Sequence, residues 1–109
     1  MNPQPKPRHG ALERAEKRKR HEQDAATIRR VVRQRDGHRC RLCARSVIPG
    51  AVHPEYRAEV HHIVARSQSR AKKLDPDNLV TLCALCHLKV TTHELQVAGY
   101  DAATFRRIA

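Results

Sequence analysis

The four cysteines of this 109-residue chain fall into two pairs with the spacing of metal-binding knuckles. The pairs are Cys40-x-x-Cys43 and Cys83-x-x-Cys86. Two thiolates three residues apart can face one metal ion from a tight turn or a helix start, and two such pairs complete a tetrahedral Zn²⁺ site. The pattern therefore predicts one structural zinc ion bound by all four cysteines, in a reducing compartment where disulfides are rare.

Two alternatives to this zinc site stay open. In the first, Cys83 and His87 bind the zinc together and leave Cys86 spare. This set is less favoured because on a helix His87 points about 100° away from Cys86, which leaves His87 available for another metal. In the second, the cysteines are two unrelated pairs of buried or redox-active thiols, which is an uncommon arrangement for a paired C-x-x-C in so small a chain.

Three histidines and an asparagine form a second candidate set. His61 and His62 are adjacent in a β-branched segment, Asn78 opens the next such segment, and His87 follows Cys86. Consecutive strand residues point to opposite faces, so at least one of the paired imidazoles occupies a position where a structural residue would be aliphatic. Imidazole titrates near neutral pH and also binds metals, which suits a general base or a ligand. The remaining histidines are expected to be exposed: His9, His21, His38 and His53.

Together, these two sets resemble the HNH endonucleases. The resemblance covers roughly residues 25 to 94 and is carried by Cys40-x-x-Cys43, Glu59-Val60-His61-His62-Ile63-Val64 and Asp77-Asn78-Leu79-Val80-Thr81-Leu82-Cys83-x-x-Cys86-His87-x-Lys89. It is specific because three separate features match the family together: the two cysteine pairs, the adjacent histidines and the run from Asn78 to His87. The resemblance implies a ββα-metal (His-Me) finger, which is an antiparallel two-stranded hairpin with a helix packed across it and one divalent metal between.

The resemblance also implies a role for each site residue. His62 takes the place of the general base, and His61 and His87 take the places of ligands to a catalytic divalent metal. Asn78 matches the residue that braces the loop between the strands and holds the base in position. The implied reaction is hydrolysis of DNA phosphodiester bonds to 5′-phosphate and 3′-hydroxyl ends. The alternatives are a non-catalytic zinc module that binds nucleic acid and, more weakly supported, a nuclease directed at RNA.

Two positions depart from the family's pattern. Thr91 stands where some relatives carry a further histidine, and Ala65 replaces a proline that is common after the first strand. The catalytic metal is therefore expected to have two protein ligands, both imidazoles. Because imidazole favours later transition metals over Mg²⁺, we expect Mn²⁺, Co²⁺ or Ni²⁺ to support activity at least as well as Mg²⁺.

Hydrophobic periodicity and turn residues predict the elements that position these side chains. An amphipathic basic helix over residues 25–36 ends at Gly37, ahead of the first knuckle. Short strands over residues 60–64 and 78–82 follow, and then a helix over 83–92. The predicted fold class is α+β, a small zinc-stabilised ββα-metal finger with a flanking basic N-terminal helix.

The two ends of the chain are predicted to lie outside this unit. Alternate prolines indicate a disordered arm up to Gly10, and the charged residues 11–24 indicate a solvated helix or tail. Asp101 is expected to cap a short last helix over residues 102–108. The predicted organisation is a basic arm at 1–24, a nuclease domain at 25–94 and a C-terminal extension at 95–109.

The charge and the aromatic content of the chain limit which classes of molecule it can be expected to bind. The formal net charge is +11, so a polyanion is the expected partner. Only two tyrosines and one phenylalanine are aromatic, which argues against stacking on unpaired bases and favours double-stranded DNA. So little apolar bulk also makes zinc the expected source of stability. The residues expected to contact nucleic acid are Arg29, Arg30, Arg33, Arg66 and Lys89.

No segment predicts membrane attachment or export, because no apolar run is long enough to span a bilayer and no secretory-signal pattern is present. We expect a soluble cytoplasmic protein, in a bacterial cell or a phage-infected host. A monomer or weak dimer is expected, with other phage or restriction components as further partners.

Overall fold

The computed structural model of the chain describes residues 9–65 and 72–108. Its elements there are α1 (His9–Arg35), β1 (Ala58–His62), β2 (Leu79–Cys83), α2 (Ala84–Thr91), β3 (Val97–Ala98) and β4 (Arg106–Arg107), with 3₁₀ turns at Pro54–Tyr56 and Pro76–Asn78. The predicted α+β class is confirmed, with its antiparallel hairpin, a helix packed against the hairpin and a basic N-terminal helix. Across these two ranges, the helices are all too short or too polar to cross a membrane.

β1 and β2 form the antiparallel hairpin that positions the candidate site. The register pairs Ala58 with Cys83 at one end and His62 with Leu79 at the other, so the paired histidines lie at the end away from that cysteine. Every residue of β2 is buried, as expected for a continuous apolar strand covered on both faces. β1 is half-buried throughout and supplies the side chains that reach the surface.

The observed strands differ from the predicted ones at their ends. β1 begins earlier than the predicted strand at 60–64 because Ala58 and Glu59 already pair with β2. It also ends earlier, because the backbone N–H groups beyond His62 donate to Asn78. The Asn78 carbonyl accepts from the Ile63 N–H at 2.9 Å, and the Asn78 side chain accepts from the Val64 N–H at 2.7 Å. Asn78 itself lies in a 3₁₀ turn and not in β2.

α1 is one continuous helix, so the charged residues 11–24, for which the sequence left a solvated helix or a tail open, are helical and join the predicted basic helix over residues 25–36. No glycine or proline interrupts the chain between Gly10 and Gly37, and the alanines, glutamates, lysines and arginines there have high helix propensity. Gly37 ends the helix as predicted, with a φ of +66° and its N–H donating to the Gln34 carbonyl. Residues 1–8 of the predicted arm lie outside the described residues, and the domain boundaries stay predictions.

The predicted helix over residues 102–108 is wrong. A single turn follows Asp101, and β4 then pairs antiparallel with β3. Asp101 caps that turn as expected, because its carboxylate accepts from the Thr104 N–H at 2.9 Å and from the Thr104 hydroxyl at 2.6 Å. The chain continues as a strand because Phe105 is buried against the core, and pairing with β3 satisfies the backbone beyond it.

Asp36 connects the end of α1 to the hairpin. Its side chain, 3% exposed, accepts from the Arg35 guanidinium at 3.0 and 3.1 Å and from the Thr81 backbone N–H at 2.9 Å. Arg35 also donates to the Leu79 carbonyl at 2.6 Å. Burial raises the pKa of Asp36, but the hydrogen bonds from Arg35 and Thr81 outweigh burial, so the pKa lies below its ordinary value. The ionised carboxylate therefore stabilises the folded chain.

Replacing Asp36 by asparagine is expected to lower the free energy of unfolding by about 2 kcal/mol at neutral pH, since hydrogen bonds to charged groups contribute roughly 1.5–3 kcal/mol. The folded pKa lies below the unfolded value of about 3.9, so this stabilisation is fully present above about pH 5 and is lost as the pH falls through about 4 and below. Urea unfolding of both proteins from about pH 3 to 7 measures the difference.

Asp24→Asn is the matched control, because Asp24 is an exposed carboxylate on the same helix. This control should leave the free energy of unfolding unchanged at every pH. An equal loss at both positions, or an Asp36→Asn difference that does not shrink in acid, would contradict the role given to Asp36.

Candidate active site and zinc centre

The four cysteines come together at the junction of the first knuckle, β2 and α2. Their Sγ atoms all lie within 4.8 Å of one another, and Cys43 Sγ is 3.8 Å from Cys83 Sγ. Sulfurs that surround one tetrahedral zinc at about 2.3 Å are about 3.8 Å apart. All four are free thiols, and the cluster contains Cys86 and not His87, which decides between the two ligand sets left open by the sequence.

Each knuckle points backbone N–H groups at its first sulfur. Leu42 and Cys43 direct their N–H groups at Cys40 Sγ, at 3.4 and 3.5 Å. Cys86 does the same toward Cys83 Sγ at 3.3 Å, so that Cys83 is also the N-cap of α2. These donors favour thiolate over thiol, which is the form that binds a metal.

The electrostatics of the four sulfurs fit a bound cation. Burial raises the pKa of Cys86 and of Cys43, and the neighbouring cysteines raise both further. Burial also acts to raise the pKa of Cys40, but the backbone N–H groups outweigh it and lower that pKa. Zn²⁺ is the group that lets all four be thiolates at once, so the donor set fits a structural zinc ion.

The imidazoles of His61 on β1 and His87 on α2 face each other. Their ring centroids are 5.3 Å apart with the planes at 71°. Two imidazoles on one tetrahedral metal, with N–metal distances of about 2.1 Å, have ring centres about 5 Å apart, so the pair fits a shared metal ion. Burial lowers the pKa of His61 to about 4, with smaller contributions from His87 and His62, so His61 is neutral at neutral pH and able to bind a metal.

A metal ion held by this pair would have open coordination positions. Among the described residues, the four cysteines are the only set of three or more His, Cys, Asp or Glu side chains whose ligand atoms lie mutually within 4.8 Å. Thr91, which stands at the position of a further ligand in some relatives, donates its hydroxyl to the His87 carbonyl at 2.9 Å. The open positions would be available to water and to a phosphate oxygen.

Glu59 lies in the candidate site, although the sequence alone predicts no role for it. It lies two residues before His61 on β1, and its carboxylate Oε2 is 3.6 Å from His87 Nδ1. A carboxylate next to one ring nitrogen favours the tautomer with its proton there, and this leaves Nε2 to face a metal. Glu59 and His61 are two residues apart, and this spacing puts both side chains on one face of a strand. It is the sequence feature from which the proximity of Glu59 to the site could be predicted.

His62 lies on the other face of β1, toward α1. Its Nε2 is 3.1 Å from the Lys73 carbonyl oxygen, and it lines a cavity of about 240 Å³ together with residues of α1. A carbonyl oxygen only accepts hydrogen bonds, so Nε2 carries the proton and the lone pair of the neutral ring is on Nδ1. This is the orientation that a general base acting through Nδ1 requires.

Asn78 joins the two ends of the segment between β1 and β2. Its side chain is buried, with Oδ1 accepting from the Val64 N–H and Nδ2 donating to the carbonyls of Val64 and Lys72, both at 3.1 Å. Lys72 precedes Lys73, whose carbonyl orients His62. Asn78 therefore bridges Val64 and Lys72, at the two ends of that segment.

The predicted nucleic-acid contacts are spread over the surface. Arg29 lines the cavity that contains His62, whereas Arg30 and Arg33 follow it on α1 without lining that cavity. Burial lowers the pKa of Arg33, and the charges of Arg29 and Arg30 lower it further, so the three guanidinium groups concentrate positive charge there. Lys89 lies in the last turn of α2. Arg66 lies outside the described residues.

Comparison with known proteins gave one match. The sequence model of the HNH endonuclease family covers residues 40–93, which hold both cysteine pairs, the hairpin and α2. Comparisons with curated proteins and with solved structures gave no match. Through the domain at residues 40–93, the chain belongs to the HNH endonuclease family.

Proposed function

We propose that the chain is a metal-dependent endonuclease that hydrolyses DNA phosphodiester bonds, with His62 as general base and His61 and His87 as ligands of the catalytic metal. One observation carries this proposal: β1 presents His61 to His87 on one face, and on the other face it presents His62 with Nε2 bound to a backbone carbonyl. A merely structural strand has no need of two adjacent imidazoles, one of which faces a third on the neighbouring helix.

In the proposed reaction, His62 Nδ1 takes the proton of the attacking water while Nε2 keeps its hydrogen bond to Lys73. The ring is held before reaction, so little reorientation is needed when the proton moves. When bound, the divalent metal supplies Lewis-acid stabilisation of the charge on the phosphate and on the departing oxygen. Water attacks phosphorus, the bond to the 3′ oxygen breaks, and that oxygen takes a proton from solvent water, so the products carry 5′-phosphate and 3′-hydroxyl ends.

Incubating supercoiled plasmid with the zinc-loaded protein and one added divalent metal at a time tests this proposal. Nicked circles are the expected first product, because one active site per monomer cuts one strand at a time. The competing function, a non-catalytic zinc module that binds nucleic acid, accounts for the cysteines and the charge but predicts intact plasmid with every metal. Sealing of the nicks by a ligase that requires 5′-phosphate and 3′-hydroxyl ends checks the products.

The metal preference follows from the all-imidazole pair. Mn²⁺, Co²⁺ or Ni²⁺ is expected to give cleavage rates at least equal to that with Mg²⁺, since nitrogen ligands favour later transition metals over hard Mg²⁺. Initial nicking rates across a concentration series of each metal provide the measurement. A strict requirement for Mg²⁺ would show that His61 and His87 are not the ligands.

A further inference from the structure

Two connected cavities run from His62 along one side of α1. The nearer one, of about 240 Å³, has His62 and Arg29 in its wall. The farther one, of about 420 Å³, continues toward the N-terminal end of the helix. His21, Glu22 and Lys73 line both, so the two form one continuous depression, which we call the α1 groove.

The α1 groove is strongly basic. Glu22 is the one carboxylate among the residues that line it, and its cationic side chains are Arg14, Lys17, Arg18, Arg29 and Lys73. The lining residues of α1 recur at intervals of three and four, which places them along one face of the helix. The same face thus leads from Arg14 to the candidate general base.

We infer that the α1 groove binds the phosphodiester backbone of duplex DNA that flanks the bond to be cut, an inference that rests on the proposed function. Fifteen residues separate Arg14 from Arg29, which is about 22 Å along a helix. That length corresponds to about six base-pair steps at 3.4 Å each. A backbone laid along the groove would place the flanking phosphates against α1 and the scissile phosphate at His62.

The chemistry of the lining favours duplex backbone over other nucleic-acid ligands. Among the described residues that line it there is no phenylalanine, tyrosine or tryptophan, the large rings on which unpaired bases stack best. The long cationic side chains can bind phosphate oxygens, which are the same at every base pair. Binding is therefore expected to depend steeply on salt concentration and weakly on DNA sequence. The groove also assigns substrate contacts to Arg14, Lys17 and Arg18, far from the matched HNH domain in sequence.

A pair of charge-matched variants tests this inference. Arg14→Gln/Arg18→Gln removes two cations from the groove, and Lys19→Gln/Arg20→Gln removes two from another surface of the same helix. Glutamine keeps helix propensity, and circular dichroism verifies that α1 is retained. Affinity is measured by fluorescence anisotropy on a labelled duplex of about 20 base pairs, with zinc-loaded protein and no added catalytic metal, over a salt series.

The groove variant should bind about tenfold more weakly, and the slope of log affinity against log salt should fall by about two, whereas the control should stay within about twofold. Equal weakening by both variants, or no change in either while the plasmid is still cut, would overturn the groove and leave the nuclease proposal standing. An unaltered protein that binds no DNA overturns both. Stronger competition by a single strand than by the duplex overturns the assignment to duplex backbone.

Discussion

Replacing His62 by alanine is expected to lower the rate of plasmid nicking by about 10²- to 10⁴-fold, the range that a positioned general base contributes. DNA affinity should change by less than about twofold, because the cations of the α1 groove, and not an imidazole, supply the attraction to phosphate. The thermal midpoint should also be kept, since His62 is only half-buried. Single-turnover nicking, anisotropy and thermal unfolding of the zinc-loaded protein give the three readouts.

His53→Ala is the control, because His53 is exposed and lies before β1 in the sequence, next to the 3₁₀ turn Pro54–Tyr56. It should leave all three readouts unchanged. Added imidazole should restore part of the rate to the His62 variant, since a free base can enter the space left by the ring, whereas a structural defect would not be rescued. Full activity in the His62 variant would refute the assignment of the base and favour another proton acceptor.

The two faces of β1 divide the proposed work between them. His61 faces His87 on α2, beside Glu59 on its own strand, and burial there keeps its imidazole neutral. His62 faces α1 and the groove that would carry the substrate. The strand alternation of two adjacent residues therefore places the proposed metal ligand next to the proposed base while giving each a different environment.

The sequence predicts those features of the fold and site that depend on residues close together in the chain. A C-x-x-C spacing fixes two sulfurs within one turn, and a β-branched segment with paired histidines fixes a strand and its alternation. The helix end at Gly37 and the capping carboxylate of Asp101 are also correct, because each depends on the residue itself. The cysteine cluster, the hairpin and α2 follow from such signals.

The parts that sequence misses depend on contacts between distant segments. The turn after Asp101 does not continue as a helix because Phe105 packs into the core and β3 offers a partner strand. Glu59 gains its place only when α2 brings His87 to it. The α1 groove exists because residues 73–74 pack near a helix whose first half, from sequence alone, is predicted as a solvated helix or tail with no tertiary contacts.

Replacing Cys83 by serine is expected to unfold the protein. Cys83 is fully buried, ends β2, caps α2 and is one of the four sulfurs of the cluster, so its loss removes the metal at the point where strand and helix meet. Structural zinc contributes on the order of 10 kcal/mol in small domains, which exceeds what so small a core can replace. Circular dichroism, thermal unfolding and elemental analysis compare the variant with the unaltered protein, which should hold about one tight zinc per chain.

His87→Ala is the matched variant, because His87 lies next to Cys86 on α2 but outside the cysteine cluster. It should keep the zinc and the thermal midpoint while losing the nicking activity, which separates the structural metal from the catalytic one. A strong chelator should unfold both the unaltered protein and this variant, and added zinc should refold them. Two outcomes would refute the division into a structural zinc on the four sulfurs and a separate catalytic metal. One is two equally tight zinc ions per chain, and the other is a Cys83→Ser protein that unfolds at the same temperature as the unaltered one.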